Sequence, residues 1–163
     1  MLRERPDLPQ ADYLYLLYAR RVGRIIDAVH DRHCREHFGI SSAEMRVLFA
    51  LLRAGPSYAQ RPTELFRSLL VTSGAITKQV DKLIASGHVE RQPGPERSGG
   101  FLIHLTAKGH TVANEALTAL ADSSVIPHGT LTSDERDSAL HLLGKILNQL
   151  EQQLDDRQTP PID

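Results

Sequence analysis

Within residues 61–106, RPTELFRSLLVTSGAITKQVDKLIASGHVERQPGPERSGGFLIHLT, the apolar spacing changes from helical to strand-like, and few folds accommodate that change in so short a span. Leu65, Leu69 and Leu70 punctuate a first helix, with Pro62 suited to its first turn because a missing N–H costs nothing there. Thr72 or Ser73 can cap a second helix, in which Ile76, Val80, Leu83 and Ile84 recur as a buried stripe. Gly87 stops that helix. Residues 88–92 and 101–105 then have strand composition and flank a Pro/Gly tip at residues 93–100.

Helix, tight turn, helix and hairpin make a winged helix-turn-helix: a mainly α fold with a small β-hairpin wing. The second helix turns Ser73, Thr77, Lys78, Gln79 and Lys82 away from its apolar stripe. That face is polar, cationic and compact, as a helix lying in a DNA major groove requires.

The rest of the chain is expected to serve this module. Residues 1–10, with two prolines, read as a flexible arm. Residues 11–37 read as a long helix whose Leu14, Leu17, Tyr18, Val22, Ile25, Ile26 and Val29 give a broad apolar face. Phe38-Gly39-Ile40 closes it, and Ser41-Ser42-Ala43-Glu44 has capping-box form, opening a helix to about Arg53 with Val47, Leu48, Leu51 and Leu52 inward. Gly55-Pro56 ends that helix, and residues 57–60 read as a connector.

Beyond the hairpin, Thr106 caps a helix over residues 107–123 carrying Val112, Ala116 and Leu120. A break at Pro127-His128-Gly129 precedes a second capping box, Thr132-Ser133-Asp134-Glu135, and a last helix to about Leu154. Its Leu140, Leu143, Leu147, Leu150 and Leu154 alternate by three and four, the spacing of a heptad seam. Pairing with a second copy, packed against the long first helix, accounts for that seam; one wall of an intramolecular core is the alternative. Residues 11–37 and 107–154 thus form a helical dimerisation region around a DNA-binding region at 41–106, and residues 155–163 form a flexible tail.

Charge distribution decides more than total charge. The chain carries −1 overall, but between Arg61 and His110 seven cations (Arg61, Arg67, Lys78, Lys82, Arg91, Arg97, Lys108) face four anions. That leaves +3 on the module and −4 on the remainder, enough local field for phosphate attraction. No run of about 18 apolar residues exists, so no membrane span is expected. The first residues lack the apolar core of a signal peptide, and a single cysteine, Cys34, fits a reducing cytoplasm.

A symmetric dimer would set two recognition helices about one DNA turn apart, matching a palindrome. Thr72, Ser73, Thr77, Lys78 and Gln79 would face base edges or adjacent phosphates; Gln suits adenine and Lys suits guanine or a phosphate. Arg97 at the wing tip would enter the minor groove, and Arg61, Arg67 and Lys82 would contact phosphates.

The segment TSGAITKQVDKLIASGHVERQPGPERSGGFLIHLTAKG resembles the core of the MarR family of transcriptional regulators, and the likeness extends outward to Phe38-Gly39-Ile40-Ser41 and to LTSDERDSALHLLGKIL. The resemblance implies a dimeric winged-helix repressor or activator whose DNA affinity is set by a small ligand, often a phenolic or aromatic carboxylate. It also implies a pocket between the dimerisation helices and the DNA-binding lobe. Where the family usually carries an Asp-Arg pair in the wing, Arg97-Ser98 stand here, and Gly74 and Ala75 replace common polar contacts. Residues 5–8 and the LLRAGPSY…RPTEL stretch resemble the urate-responsive branch. The Trp which that branch uses is missing, and Arg46 stands where it usually has an Asp. An arginine there favours a carboxylate through its planar fork, so the expected effector is an organic anion, such as an aromatic acid, held by Arg46 with His30 or His33 nearby.

Two other chemistries compete. In HDRHCREH, His30, Cys34 and His37 share a helix face and can be read as zinc ligands lacking a fourth partner, while Cys34 with a lowered pKa can be read as an oxidation sensor. The simpler reading is a mixed polar face with a small buried cysteine. No catalytic Ser/His/Asp set, phosphate-binding glycine loop or zinc-protease motif appears. Neither an enzyme nor a cofactor is expected.

Overall fold

The computed structural model describes residues 10–94, 100–122 and 129–158. The chain divides into two compact units, Met1–Ser123 and Ser124–Asp163.

The first unit begins with α1 (Gln10–Phe38), and its C-terminal end is the part that enters the core, through Cys34 and Phe38. Gly39 (φ +69°) turns the chain, and α2 (Ser42–Arg53) starts on the expected capping box. The Ser41 hydroxyl accepts the Glu44 N–H, and the Glu44 carboxylate accepts the Ser41 N–H at 2.7 Å. Met45, Val47, Leu48 and Leu51 are fully buried, making α2 the central helix of the core; Leu52 is only partly buried.

Residues 57–60 are not merely a connector. Ala59–Gln60 form a short strand, β1, which pairs antiparallel with β3. Two residues carry no periodicity, so no sequence signal marked this strand. After it come α3 (Pro62–Ser68) and α4 (Ser73–Ala85), with Pro62 in the first turn of α3 and Thr72 as the N-cap of α4. Both helices end in the same hydrogen-bonded reversal. Leu70 N–H bonds Arg67 O and Val71 N–H bonds Phe66 O; Gly87 N–H bonds Ile84 O and His88 N–H bonds Leu83 O. The left-handed position is Gly87 in one turn and Leu70 (φ +54°) in the other.

The hairpin joins β2 (Val89–Pro93) to β3 (Phe101–Leu105), in register from Val89 opposite Leu105 to Pro93 opposite Phe101. The sheet order is β1-β3-β2. Strand β2 is displaced by one residue from the expected 88–92, because His88 belongs to the turn that ends α4. Helix α5 (Ala107–Asp122) follows at once, capped by Thr106, whose hydroxyl oxygen accepts the Gly109 N–H at 3.1 Å.

In the second unit, the Thr132–Glu135 capping box opens α6 (Ser133–Gln158), which runs four residues past the expected end at Leu154. Leu140, Leu143, Leu147, Leu150 and Leu154 are all exposed. The rest of the expected tail (residues 159–163), residues 1–9 of the expected arm and the expected break at 127–128 lie outside the described residues.

Candidate nucleic-acid interface

Helix α4 separates its two faces cleanly. Ile76, Val80 and Leu83 are buried, and Thr72, Ser73, Gly74, Thr77, Lys78 and Lys82 are exposed, with Gln79 half-buried. The sequence pattern therefore separated the buried and exposed sides of α4 as the structure has them. Two hydroxyls on it are already engaged: Thr72 Oγ1 accepts the Ala75 N–H as the cap, and Thr77 Oγ1 donates to Ser73 O at 3.0 Å. Each keeps acceptor capacity, so both can still receive a hydrogen bond from a base amino group.

The cations sort into committed and uncommitted groups. Lys78 and Arg67 are exposed and have no ion-pair partner among the described residues. Lys82 pairs with Glu44 of α2 at 3.2 Å. Arg91, on β2, pairs with Asp81 of α4 and lies 5.2 Å from the centroid of the Phe101 ring. That side chain ties the wing stem to the recognition helix, an arrangement the sequence reading missed. Asp81 and Arg91 sit ten residues apart on different elements, so no spacing rule flags them. Arg61 is half-buried at the start of α3, where its N–H bonds the Glu64 carboxylate at 2.7 Å. Arg97 and Ser98, at the wing tip, lie outside the described residues.

Behind this face, the junction of α4 with the wing and α5 is closely fitted. His88 is buried, with Nδ1 at 2.7 Å from Ser86 Oγ, and Lys108 donates to Ser86 O at 2.7 Å. Burial, then the nearby Lys108 charge, holds His88 below its ordinary pKa. Thr106 donates its hydroxyl to Gly87 O at 2.8 Å, and its N–H bonds His88 O.

The proposed effector and sensor residues lie where α1 meets α2. Arg46 is exposed, its side chain 45% accessible, and it pairs with Asp27 at 3.6 Å. His30 is half-buried; burial, then His33 and Arg46, lower its pKa. The His33 ring lies against that of His37, centroids 4.3 Å apart and tilted by 40°, and its Nε2 is buried with no hydrogen-bond partner among the described residues. Cys34 is 0% exposed, and burial followed by the Asp31 charge pushes its thiol pKa up. An oxidation sensor calls for the opposite shift and an accessible sulfur, so the burial of Cys34 agrees with the simpler reading of a small buried cysteine. The zinc reading fares no better, since among the described residues no group of three His, Cys, Asp or Glu side chains is placed to hold a metal.

The same segments carry the likeness to known proteins. The sequence model of the MarR family matches residues 38–98, from the end of α1 to just past β2. The multiple antibiotic resistance protein MarR of Escherichia coli is 32% identical over 133 residues, spanning 77% of this chain and 90% of that protein. A MarR family transcriptional regulator from Streptomyces coelicolor has the same fold, with a TM-score of 0.73 at 21% identity over 87% of this chain and 96% of its own. A cysteine-to-serine mutant of Escherichia coli MarR complexed with operator DNA gives a TM-score of 0.64 at 28% identity, covering 82% of this chain and 96% of that one. These matches hold at the level of the family and leave the urate-responsive branch unconfirmed. With the α4 recognition face, the β2–β3 wing and this shared sequence in agreement, the chain belongs to the MarR family of winged-helix transcriptional regulators.

Proposed function

We propose that this chain reads double-stranded DNA, binding a palindromic operator as a homodimer and acting as a repressor that a small organic anion releases. The observation that carries the reading is α4 itself: its apolar stripe is sealed in the core, while Ser73, Thr77 and Lys78 stand exposed on the opposite side. The Escherichia coli relative solved with operator DNA supports the same use of the fold. The dimer is supported separately by the exposed leucine seam of α6 and by the exposed Leu17, Tyr18, Val22, Ile25 and Val29 of α1. Each is a row of large apolar side chains on one helix, the kind of surface that marks a protein–protein contact.

The test is duplex binding. The wild-type protein should enrich a two-fold symmetric sequence from a randomised pool, and its affinity should fall steeply with salt, as release of phosphate counterions demands. Failure to select any sequence, or binding indifferent to salt, would contradict the reading. For the effector, Arg46, His30 and His33 remain the proposed contacts, a reading supported by the influence of both His33 and Arg46 on the lowered pKa of half-buried His30. Aromatic carboxylates should release the DNA from wild type and not from Arg46→Ala. Equal release from both would remove Arg46 from the site.

A further inference from the structure

The Glu44–Lys82 pair is unusual in one respect: one partner is buried and the other is on the recognition face. Residue Glu44 is 6% exposed, whereas the Lys82 side chain is 59% exposed. The Glu44 carboxylate does two things at once. Its Oε2 accepts the Ser41 N–H at 2.7 Å and so starts α2, while its Oε1 lies 3.2 Å from Lys82 Nζ in the last turn of α4. The same turn of α2 is gripped from α1, because Asp31 Oδ1 accepts the Ser42 N–H at 2.8 Å and Asp31 Oδ2 accepts from Arg35 Nε at 2.7 Å. A line of polar contacts thus runs from α1 through the start of α2 to the recognition helix. Apolar packing alone holds α4 against sliding and tilting less strictly than a directional ion pair does.

Resting on the DNA-reading assignment above, we propose that Glu44 is a positioning residue for the recognition helix, fixing the C-terminal turn of α4 through Lys82 and withholding that lysine from the DNA backbone. Base readout needs donors and acceptors aligned to a few tenths of an ångström, while attraction to phosphates tolerates displacement. Loosening α4 therefore lowers discrimination between sequences more than it lowers affinity for DNA in general. A lysine paired with a carboxylate is also electrically neutralised, so it displaces few counterions until the carboxylate loses its charge.

Glu44→Gln separates this role from capping, because Gln serves at the third position of a capping box as Glu does. Selectivity is measured with a duplex that the wild-type protein selects from a randomised pool, against a scrambled duplex of equal length, over a range of salt concentrations. In Glu44→Gln the ratio of the two affinities should fall by about tenfold, and the slope of log K against log salt should steepen by about 0.9, as neutralising one more phosphate requires. Adding Lys82→Gln should return the slope to the wild-type value and leave the ratio low. Lys82→Gln alone, at an exposed side chain that the fold does not need, should lower the ratio with no change in slope. If Glu44 serves only to cap α2, Glu44→Gln keeps both the ratio and the slope of wild type, and the proposal is overturned. Wild-type protein that shows no salt-dependent duplex binding overturns the regulator reading together with this one.

Discussion

Gly109 shows how a single atom can decide a junction. A Cβ built there would press into the His88 carbonyl oxygen and the Leu105 side chain, so α5 lies against the end of the recognition helix only because position 109 has no side chain. That oxygen is backbone and accepts the Thr106 N–H, so it has little room to retreat. Gly109→Ala should therefore destabilise the protein by about 1–3 kcal/mol, the usual cost of overpacking a fitted interior. A denaturant midpoint equal to wild type would show that α5 can shift freely. Cys34 makes the opposite kind of prediction. With the sulfur buried and its thiolate disfavoured, a thiol reagent should leave the native protein unlabelled at neutral pH and label it rapidly once unfolded. Rapid labelling of the folded protein would restore the sensor reading.

At the scale of elements, the α4–β2 junction should respond to pH. His88 is held neutral by burial and by Lys108, so its folded pKa lies below that of the unfolded chain. The unfolded state then binds more protons, and the stability His88 contributes is complete above about pH 6.5 and is lost as pH falls through the folded value. His30 is depressed in the same direction and adds to the loss over the same range. Glu44 acts lower down. Burial alone would raise its carboxyl, but the Ser41 N–H and hydroxyl and the Lys82 ammonium outweigh burial and hold it below its ordinary 4.5. Its contribution is present above that value and disappears as pH falls through the lowered one. Thermal midpoints measured from pH 7.5 to 5 should fall for wild type and fall less for His88→Asn; parallel curves would show that His88 does not titrate in this way.

The elements were legible for a physical reason. Caps and periodicity are local, and Ser41, Thr72, Gly87 and Thr132 each act on neighbours within a few residues. The pairs that lock elements together are not local: Asp81 with Arg91, Glu44 with Lys82 and Lys108 with the Ser86 carbonyl depend on how helices pack. Strand β1 escaped because two residues are too few to show alternation. The exposure of Arg46 and its pairing with Asp27 were not legible either, since the face a helix buries depends on its neighbours as well as on its own stripe.

For the whole molecule, the two units are joined functionally by the requirement for two copies. A single winged helix-turn-helix offers one recognition helix, and in the proposed homodimer the exposed leucines of α6 would be the surface for acquiring a second. Leu147→Glu on that seam should convert a dimer to a monomer in light scattering and weaken operator binding along with it; a dimer unchanged by the charge would move the interface elsewhere. The central claim concerns α4. Its most direct measurement is the affinity of Thr77→Ala/Lys78→Ala/Gln79→Ala for the selected duplex, with the fold checked by circular dichroism. Losing base contacts worth about 1–3 kcal/mol each should weaken selective binding at least about a hundredfold and leave a salt-dependent remainder common to all sequences. A folded triple variant that still picks out the selected duplex as tightly as wild type would contradict the account.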